Sequence, residues 1–142
     1  MRYLSELGDA VIATTARRST QMAPLSFMST HLYGGQMGRI PVDATAMGHR
    51  SELWNYMVST TWTSMEDGTE LRRWQDQYLE ELAPHANSAA YVNYLFDEPE
   101  RVRNAYNPGT WTRLREIKRL WDPQNCFAAN QNVPPAAASP DR

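Results

Sequence analysis

The sequence has little of what disulfide-bonded, metal-binding or membrane-spanning proteins need. Its only cysteine, Cys126, cannot form an internal disulfide or a cysteine-based metal centre. The three histidines, His31, His49 and His85, show no ligand spacing of the H-x-x-x-H kind. No apolar run is long enough to span a bilayer, and charged residues interrupt the first 20 positions, where a signal peptide would be continuously apolar. We therefore expect no metal site, no membrane association and a cytoplasmic location.

An excess of charge of one sign and phosphate-binding loops are also missing. The net charge of −2 gives no general attraction to nucleic acid. There is no G-x-G-x-x-G and no P-loop motif, and the lone pair Gly34-Gly35 predicts a turn with positive φ rather than a phosphate site. The sequence thus predicts neither a nucleic-acid partner nor a nucleotide-binding loop.

The 142 residues, 42% hydrophobic and 11% aromatic, are enough to form the core of one domain. Periodicity predicts helices over residues 3–17, 69–83, about 98–105 and 110–121, and strands over 25–33, 38–42, 53–62 and 89–95. This order is typical of the α+β class, with an antiparallel sheet carrying helices on one face. Residues 1–135 are predicted to form the domain, and the small residues of 136–142 a disordered tail.

The sequence of the predicted strand 89–95 raises a difficulty. It contains Tyr91, Val92, Asn93 and Tyr94, in which aromatic and β-branched residues surround a polar amide. Tyr91 and Tyr94 differ by three positions, so they cannot share a face of a regular strand. If both contact one ligand, the strand must twist, bulge or end near Asn93.

Three motifs in the second half of the chain resemble the berberine bridge enzyme-like, FAD-linked oxidases. They are Y-V-N-Y at 91–94, R-L-R-E-I-K-R-L-W-D-P-Q-N-C-F at 113–127 and N-Q-N-V-P-P at 130–135. Upstream, Gly34-Gly35-Gln36, the D-A-T-A run at 43–46 and His49-Arg50 are also similar to that family. Order and spacing agree over roughly residues 30–135, so the resemblance covers most of the chain.

The resemblance implies the C-terminal, substrate-side domain of an FAD-dependent oxidoreductase. In the family, an alcohol, an amine or an activated C–H is oxidised by hydride transfer to the flavin. FAD is bound mainly by an N-terminal domain that nothing in this sequence resembles, so we expect the chain alone to be inactive. The uncovered face of the sheet is expected to lie over the flavin ring.

Tyr94 is the first candidate for catalysis. In many members of the family, the second tyrosine of this motif is the base that takes a proton from the substrate. An ordinary phenol has a pKa near ~10, so positive charge or hydrogen bonds must lower the pKa of a tyrosine that acts as a base. Some members use a carboxylate from a different strand instead. The alternative interpretation of Tyr94 is a tyrosine that only packs in the core.

Five further residues are candidates for binding. Tyr91 and Arg50 are assigned to the substrate site, although Arg50 suits a structural ion pair as well. By the same resemblance, Asn93, Asn130 and Asn132 are assigned to the cofactor: in the family the tail lies against the flavin ring, and an amide complements the donors and acceptors of its pyrimidine edge. Asn93 could instead brace its strand, and the asparagines of the tail could only form turns.

Two other functions compete with an oxidoreductase segment. One is a non-catalytic binding or structural module that self-associates through the sheet face or pairs with a separate FAD-domain protein. The other is an unrelated α+β domain in which Y-V-N-Y occurs by chance. A small-molecule substrate is the partner that the oxidoreductase hypothesis implies.

Overall fold

The computed structural model describes residues 1–51, 54–95 and 98–138. The chain divides into two compact units, one made of Met1–Gly35 and Ser51–Ser88, the other of Gln36–Arg50 and Ala89–Arg142. The first unit contains the sheet and the two helices that cover one of its faces. The second contains the Y-V-N-Y motif, the last long helix and the N-Q-N tail.

The sheet has three antiparallel strands, and the predicted α+β class is confirmed. The strands are β1 (Arg2–Leu4), β2 (Phe27–Leu32) and β3 (Trp54–Ser59), in the order β1-β3-β2. Tyr56 of β3 lies opposite Arg2 of β1 and Thr30 of β2. The predicted strands 25–33 and 53–62 correspond to β2 and β3 with shorter bounds, and residue 53 lies outside the described residues.

Helices α1 (Asp9–Ser19) and α3 (Met65–Leu82) supply apolar side chains that pack with one face of the sheet. Tyr56 is fully buried there, and its hydroxyl forms hydrogen bonds of 2.6 Å with Thr15 Oγ1 and with Tyr78 Oη. Burial raises the pKa of Tyr56, because a phenolate would lose its hydration. The buried core of this unit consists of Leu4, Val11, Tyr56, Val58, Tyr78, Leu79 and Leu82.

The prediction of a helix over residues 3–17 is wrong in its first part. Residues 2–4 form β1, because Tyr3 and Leu4 pair with β3 and bury their side chains almost completely. Gly8, in extended conformation, precedes the helix that follows. A strand of three residues is too short to show alternation, so the apolar positions on either side of Gly8 read as one helical stripe.

Helix α3 begins four residues earlier than the predicted start at Thr69. Ser64 caps it by accepting a hydrogen bond from the Asp67 N–H, and its hydroxyl donates to the Asp67 carboxylate at 2.7 Å. Glu66-Asp67-Gly68, a sequence typical of a turn, therefore lies within the helix instead. Gly68 packs closely against the Trp62 ring: a Cβ there would lie 2.6 Å from Trp62 Nε1.

The segment 36–50 of the second unit contains a short helix and then irregular chain. The helix is α2 (Gln36–Arg39), where a return strand over 38–42 had been expected. That expectation is wrong because β2 pairs with β3 instead, and Pro41 has no N–H to donate to a ladder. Gly35 has φ +57°, which confirms the predicted positive-φ turn.

Helical turns dominate the rest of the second unit. A 3₁₀ helix, Pro99–Ala105, matches the predicted short helix, and α4 (Pro108–Trp121) matches the predicted helix 110–121. Asn107 caps α4 by accepting a hydrogen bond from the Thr110 N–H at 2.8 Å. Another 3₁₀ turn, Ala83–His85, ends α3 in the first unit. Across 1–51, 54–95 and 98–138, none of the helices is both long and apolar enough to cross a membrane.

Candidate functional site

The Y-V-N-Y motif forms a tight turn, and the predicted strand 89–95 is wrong. Val92–Tyr94 is a 3₁₀ helix, closed by a hydrogen bond of 2.8 Å from the Tyr94 N–H to the Tyr91 carbonyl. Because a 3₁₀ helix has three residues per turn, side chains three positions apart lie on the same side. The rings of Tyr91 and Tyr94 meet edge to face, with centroids 5.0 Å apart. The turn thus removes the difficulty that a regular strand would have posed for these two residues.

The polar groups of this turn are accessible to other molecules. Both tyrosines are half-buried and Asn93 is exposed. The Asn93 amide Nδ2 donates a hydrogen bond of 2.9 Å to Tyr91 Oη. The Tyr94 ring contacts that of Tyr91, and the Tyr94 hydroxyl forms no hydrogen bond with any of the described residues. The Tyr94 hydroxyl therefore remains available for a ligand.

The C-terminal tail returns to this turn. The Gln131 amide Nε2 donates a hydrogen bond to the carbonyl of Leu95, the residue after Tyr94. Asn130 adopts a left-handed conformation with φ +51°, and the Asn132 N–H donates to the Asn130 carbonyl at 2.9 Å. The tail therefore bends sharply close to Leu95, the residue that follows Tyr94.

Asn132 has a buried polar atom without a partner. Its Oδ1 is out of contact with solvent, and no hydrogen bond reaches it from the described residues. Buried polar atoms of this kind usually pair with protein, water or a ligand. Asn130, by contrast, is exposed.

Helix α4 holds the tail through its polar side chains. The Asp122 carboxylate accepts hydrogen bonds from the N–H groups of Cys126 and Phe127, at 2.7 and 3.0 Å. Lys118 Nζ pairs with that carboxylate and also donates to the Phe127 carbonyl. The hydrogen bond from Lys118, together with those from the two backbone N–H groups, lowers the pKa of Asp122.

A second set of contacts lies further along the tail. The Arg115 guanidinium donates to the carbonyls of Pro134 and Pro135, each at 3.3 Å, and the Ala136 N–H donates to the Arg115 carbonyl. The basic residues of α4 alternate with apolar ones, a pattern typical of a solvated helix face. Arg115 and Lys118 depart from this pattern, because both are half-buried against the carbonyls that they bind. Residues 139–142 of the predicted tail lie outside the described residues.

Arg50 braces the irregular segment before β3. It is buried, and its guanidinium donates to Thr45 Oγ1 at 2.7 Å and to the Met37 carbonyl at 3.3 Å. Its Nε is buried and has no hydrogen-bond partner among the described residues. His49 Nε2 lies 2.7 Å from the Asn104 carbonyl. The hydrogen bonds of Arg50 to described residues thus stay within residues 37–50. The Y-V-N-Y turn, by contrast, is linked to the tail through the bond from Gln131 to the Leu95 carbonyl.

The sheet face opposite the helices is covered at its centre. Tyr3 and Asn55, paired on β1 and β3, are both almost fully buried, whereas Phe27 and His31 of β2 are exposed. Both polar atoms of the Asn55 side chain lack a hydrogen-bond partner in the described part of the chain.

Sequence reasoning missed Gln131, Arg115 and Lys118 as parts of this site. Gln131 lies between two asparagines that were considered, and its amide is the group that ties the tail to the turn. Arg115 and Lys118 were visible only as charges on a helix. Cys126, next to the turn that Asp122 holds, is exposed. In residues 1–51, 54–95 and 98–138, no three His, Cys, Asp or Glu side chains could together hold a metal ion.

Comparisons with known proteins define the class to which this site belongs. Residues 90–134 match the family described as berberine and berberine like. Berberine bridge enzyme-like 17 of Arabidopsis thaliana is 32% identical, over 79% of this chain and 24% of its own length. An uncharacterized FAD-linked oxidoreductase of Bacillus subtilis, YvdP, is 28% identical over 73% of this chain and 23% of its own. The chain spans about a quarter of the length of these curated relatives.

Solved structures agree on the fold. A Physcomitrella patens berberine bridge enzyme-like protein has a TM-score of 0.80 at 23% identity, covering 96% of this chain and 30% of the other. A variant of berberine bridge enzyme itself has a TM-score of 0.75 at 25% identity, covering 96% of this chain and 32% of the other. Over most of its length the chain is thus similar to one segment of the berberine bridge enzyme-like, FAD-linked oxidoreductases, which confirms the resemblance drawn from its motifs.

Proposed function

We propose that this chain forms the substrate-facing part of the active site in an FAD-dependent oxidoreductase. The reaction is the oxidation of an alcohol, an amine or an activated C–H by hydride transfer to flavin. The observation that carries the proposal is the hydrogen bond from Gln131 to the Leu95 carbonyl. It joins the amide-rich tail to the residue that directly follows the Y-V-N-Y turn.

The polar groups in this region suit a flavin ring. The Asn132 Oδ1 is a buried acceptor to which none of the described residues donates, and an imide N–H of the ring is a donor that would satisfy it. The exposed amides of Asn93 and Asn130 offer further donors and acceptors. A bound flavin supplies the hydride acceptor, which no side chain can replace.

Tyr94 takes the proton in this proposal. When the C–H of an alcohol leaves as hydride, the hydroxyl must lose its proton for the carbonyl product to form. A base within hydrogen-bond reach of that hydroxyl contributes to the rate. Tyr94 suits the role because its hydroxyl is not committed to another residue among those described, whereas Tyr91 Oη already accepts from Asn93.

The names of relatives suggest which compounds to test first. One curated relative is a monolignol oxidoreductase of Arabidopsis thaliana, 32% identical over 72% of this chain. A structure of similar fold is a xylooligosaccharide oxidase in complex with xylobiose, at 22% identity and a TM-score of 0.73. Both compounds carry hydroxyl groups, so we propose an alcohol as the substrate class.

A non-catalytic module is the second candidate function. Trp121 and Phe127 are 84% and 83% exposed, which is unusual for such large apolar side chains. Surfaces of this kind commonly mark sites of protein association. In this alternative the chain would associate with itself or with a separate FAD-domain protein without taking part in the chemistry.

Reconstitution tests the proposed function. The full chain is co-expressed with the complementary portion, defined as the part of Arabidopsis berberine bridge enzyme-like 17 outside its match with this chain. The purified complex is supplied with FAD and assayed with a monolignol and with xylobiose, using dioxygen and a dye as acceptors. We expect substrate-dependent reduction of the acceptor that neither part gives alone. Complex formation without oxidation of either compound would favour the non-catalytic module.

A further inference from the structure

Strand β2 lies at the edge of the three-stranded sheet. In the order β1-β3-β2, one side of β2 pairs with β3, from the pair Phe27–Ser59 to the pair Leu32–Trp54. No other strand in the described part of the chain pairs with its second side. An edge of this kind presents unpaired backbone N–H and C=O groups, so it can accept a further strand.

β2 lacks the features that usually protect an edge strand from further pairing. Such strands commonly carry a lysine, a proline or a bulge. The sequence of β2, F-M-S-T-H-L, contains neither lysine nor proline, and its pairs with β3 follow one another without a bulge. From residue 19 to residue 38 the sequence contains no Asp, Glu, Lys or Arg. The edge therefore carries no charge that would repel a copy of itself.

Apolar side chains are exposed at both ends of β2. Phe27 is 48% exposed and Leu32 is 61% exposed. Because the two residues are five positions apart, they lie on opposite faces of the sheet. A strand added beside β2 would cover apolar area on both faces, and this burial is favourable by roughly 25 cal/mol per Å².

We propose that the free edge of β2 is the pairing site for β2 of a second copy of this chain. The two strands run antiparallel about a two-fold axis, so that two three-stranded sheets join into one sheet of six strands. A sheet of that size is common in globular proteins. β2 lies in the first unit and carries none of the candidate site residues, so its pairing does not depend on the proposed function.

The sequence of β2 is complementary to itself in one antiparallel register. A two-fold axis perpendicular to the sheet keeps each face continuous, so even-numbered residues pair with even-numbered ones and odd with odd. With the axis at Thr30, apolar residues lie opposite apolar ones and polar residues opposite polar ones. The pairs are Phe27–Tyr33, Met28–Leu32, Ser29–His31 and Thr30–Thr30.

A buried hydroxyl also favours this register. Ser29 Oγ is buried and has no hydrogen-bond partner among the described residues. With the axis at Thr30, the imidazole of His31 in the second copy lies opposite that hydroxyl and can bind it. An axis at Ser29 would instead place Met28 opposite Thr30. It would also place Phe27 opposite His31, so apolar residues would face polar ones.

Disulfide formation at position 30 tests the register directly. In the full chain with Cys126→Ser and Thr30→Cys, the two thiols of a dimer face each other across the axis. The Cα atoms of opposed residues in an antiparallel pair lie about 4.5–5.5 Å apart, which a disulfide can span. We expect mild oxidation to convert the variant into a covalent dimer on a non-reducing gel. The control, Cys126→Ser with Met65→Cys, has its thiol at an exposed position of α3 and should stay monomeric.

Thr30→Lys tests the association without a covalent bond. The new lysine would lie opposite its own copy, and like charges directly opposite each other destabilise a strand pair. Sedimentation equilibrium should show a concentration-dependent dimer for the wild type and a dissociation constant about tenfold or more higher for Thr30→Lys. Thr30 is exposed, so the circular dichroism should not change. Thr69→Lys, at an exposed threonine of α3, is the matched control and should dimerise like the wild type.

Three results would overturn the inference. A wild-type chain that is monomeric at every concentration would show that the edge does not take a second copy. A dimer that forms no disulfide at position 30 and is unaffected by Thr30→Lys would associate through another surface, such as the exposed Trp121 and Phe127. If the complementary portion dissociates the dimer and protects the Thr30→Cys thiol, a strand of that portion occupies the edge instead.

Discussion

Tyr91 and Tyr94 share one side of a turn but differ in the contacts of their hydroxyls. The Tyr91 oxygen accepts a hydrogen bond from Asn93, whereas the Tyr94 oxygen is not engaged by any of the described residues. In a strand the two rings would point to opposite faces. The 3₁₀ turn brings the ring centroids to 5.0 Å and leaves the Tyr94 hydroxyl without a hydrogen bond to any of the described residues.

This difference predicts unequal effects of removing the two hydroxyls. In the reconstituted enzyme, Tyr94→Phe should lower kcat/KM by about 10²- to 10⁴-fold, the usual contribution of a general base. Tyr91→Phe keeps the ring contact and loses only the bond to Asn93, so its effect should be much smaller. Steady-state rates across a range of pH check both. A Tyr94→Phe enzyme with nearly full activity and an unchanged pH profile would assign the base elsewhere.

Asp122 gives the held turn a dependence on pH. Its pKa is lowered by the hydrogen bond from Lys118 and by two backbone N–H groups, so folding favours the carboxylate. The stabilisation is therefore fully present above the ordinary aspartate pKa of about 4, and it is lost as pH falls through the lowered pKa.

Urea unfolding of the wild type and of Asp122→Asn tests this expectation. The difference between their midpoints should be constant above pH ~4 and should shrink at lower pH as the wild-type carboxylate becomes protonated. Other titrating groups, such as Glu81 with its arginine partners, are common to both proteins and cancel in the difference. Asp76→Asn, at an exposed position of α3, is the control and should show little difference at any pH. A midpoint difference independent of pH down to ~2 would contradict the account.

At the scale of elements, packing against a ring overrides helix propensity. Replacing a glycine within a helix by alanine normally raises the free energy of unfolding by about 1 kcal/mol. Gly68 of α3 should behave in the opposite way, because a Cβ there would lie 2.6 to 2.9 Å from three atoms of the Trp62 ring. We expect Gly68→Ala to lower the free energy of unfolding by about 1–3 kcal/mol, as overpacking does.

Gly109 of α4 is the matched control. An added Cβ would meet only Asn107 Oδ1, at an ordinary contact distance of 3.6 Å. Gly109→Ala should therefore leave stability unchanged or raise it by up to about 1 kcal/mol. Thermal and urea unfolding followed by circular dichroism compare the two variants. Stabilisation by Gly68→Ala would show that the Trp62 ring moves aside freely.

The elements found from the sequence are those with long local patterns. Helices α3 and α4 have apolar stripes over several turns, and side chains alternate along β3, with Tyr56 and Val58 on the buried face. β1 was missed because its three residues are specified by pairing with β3, some 50 positions away in the chain. Local periodicity cannot contain that information.

The candidate site was found through its motifs rather than through its geometry. Aromatic and β-branched residues favour strands, so Y-V-N-Y was assigned to one, although its backbone closes a 3₁₀ turn. Gln131 and Arg115 were not recognised, because each donates a hydrogen bond to a carbonyl 20 or more positions away, Gln131 to Leu95 and Arg115 to Pro135. Contacts from side chains to distant backbone groups leave no periodic signal in a sequence.

At the scale of the whole molecule, the chain is a quarter of the length of its curated relatives, and its motifs and exposed apolar residues lie close together in sequence. Residues 91–95 and 115–136 carry the candidate catalytic base and the tail with the helix that holds it. The account therefore expects this part of the chain to act on a flavin that another part of the enzyme binds.

The most direct measurement of that claim is the visible absorption spectrum of the flavin in the complementary portion, titrated with the full chain. The account predicts a saturable spectral change at equimolar chain. With the Asn132→Leu variant of the chain, the spectral change should be smaller. The variant should be as stable as the wild type, since Oδ1 has no hydrogen-bond partner among the described residues. A flavin spectrum that stays the same at every concentration of the chain would contradict the account.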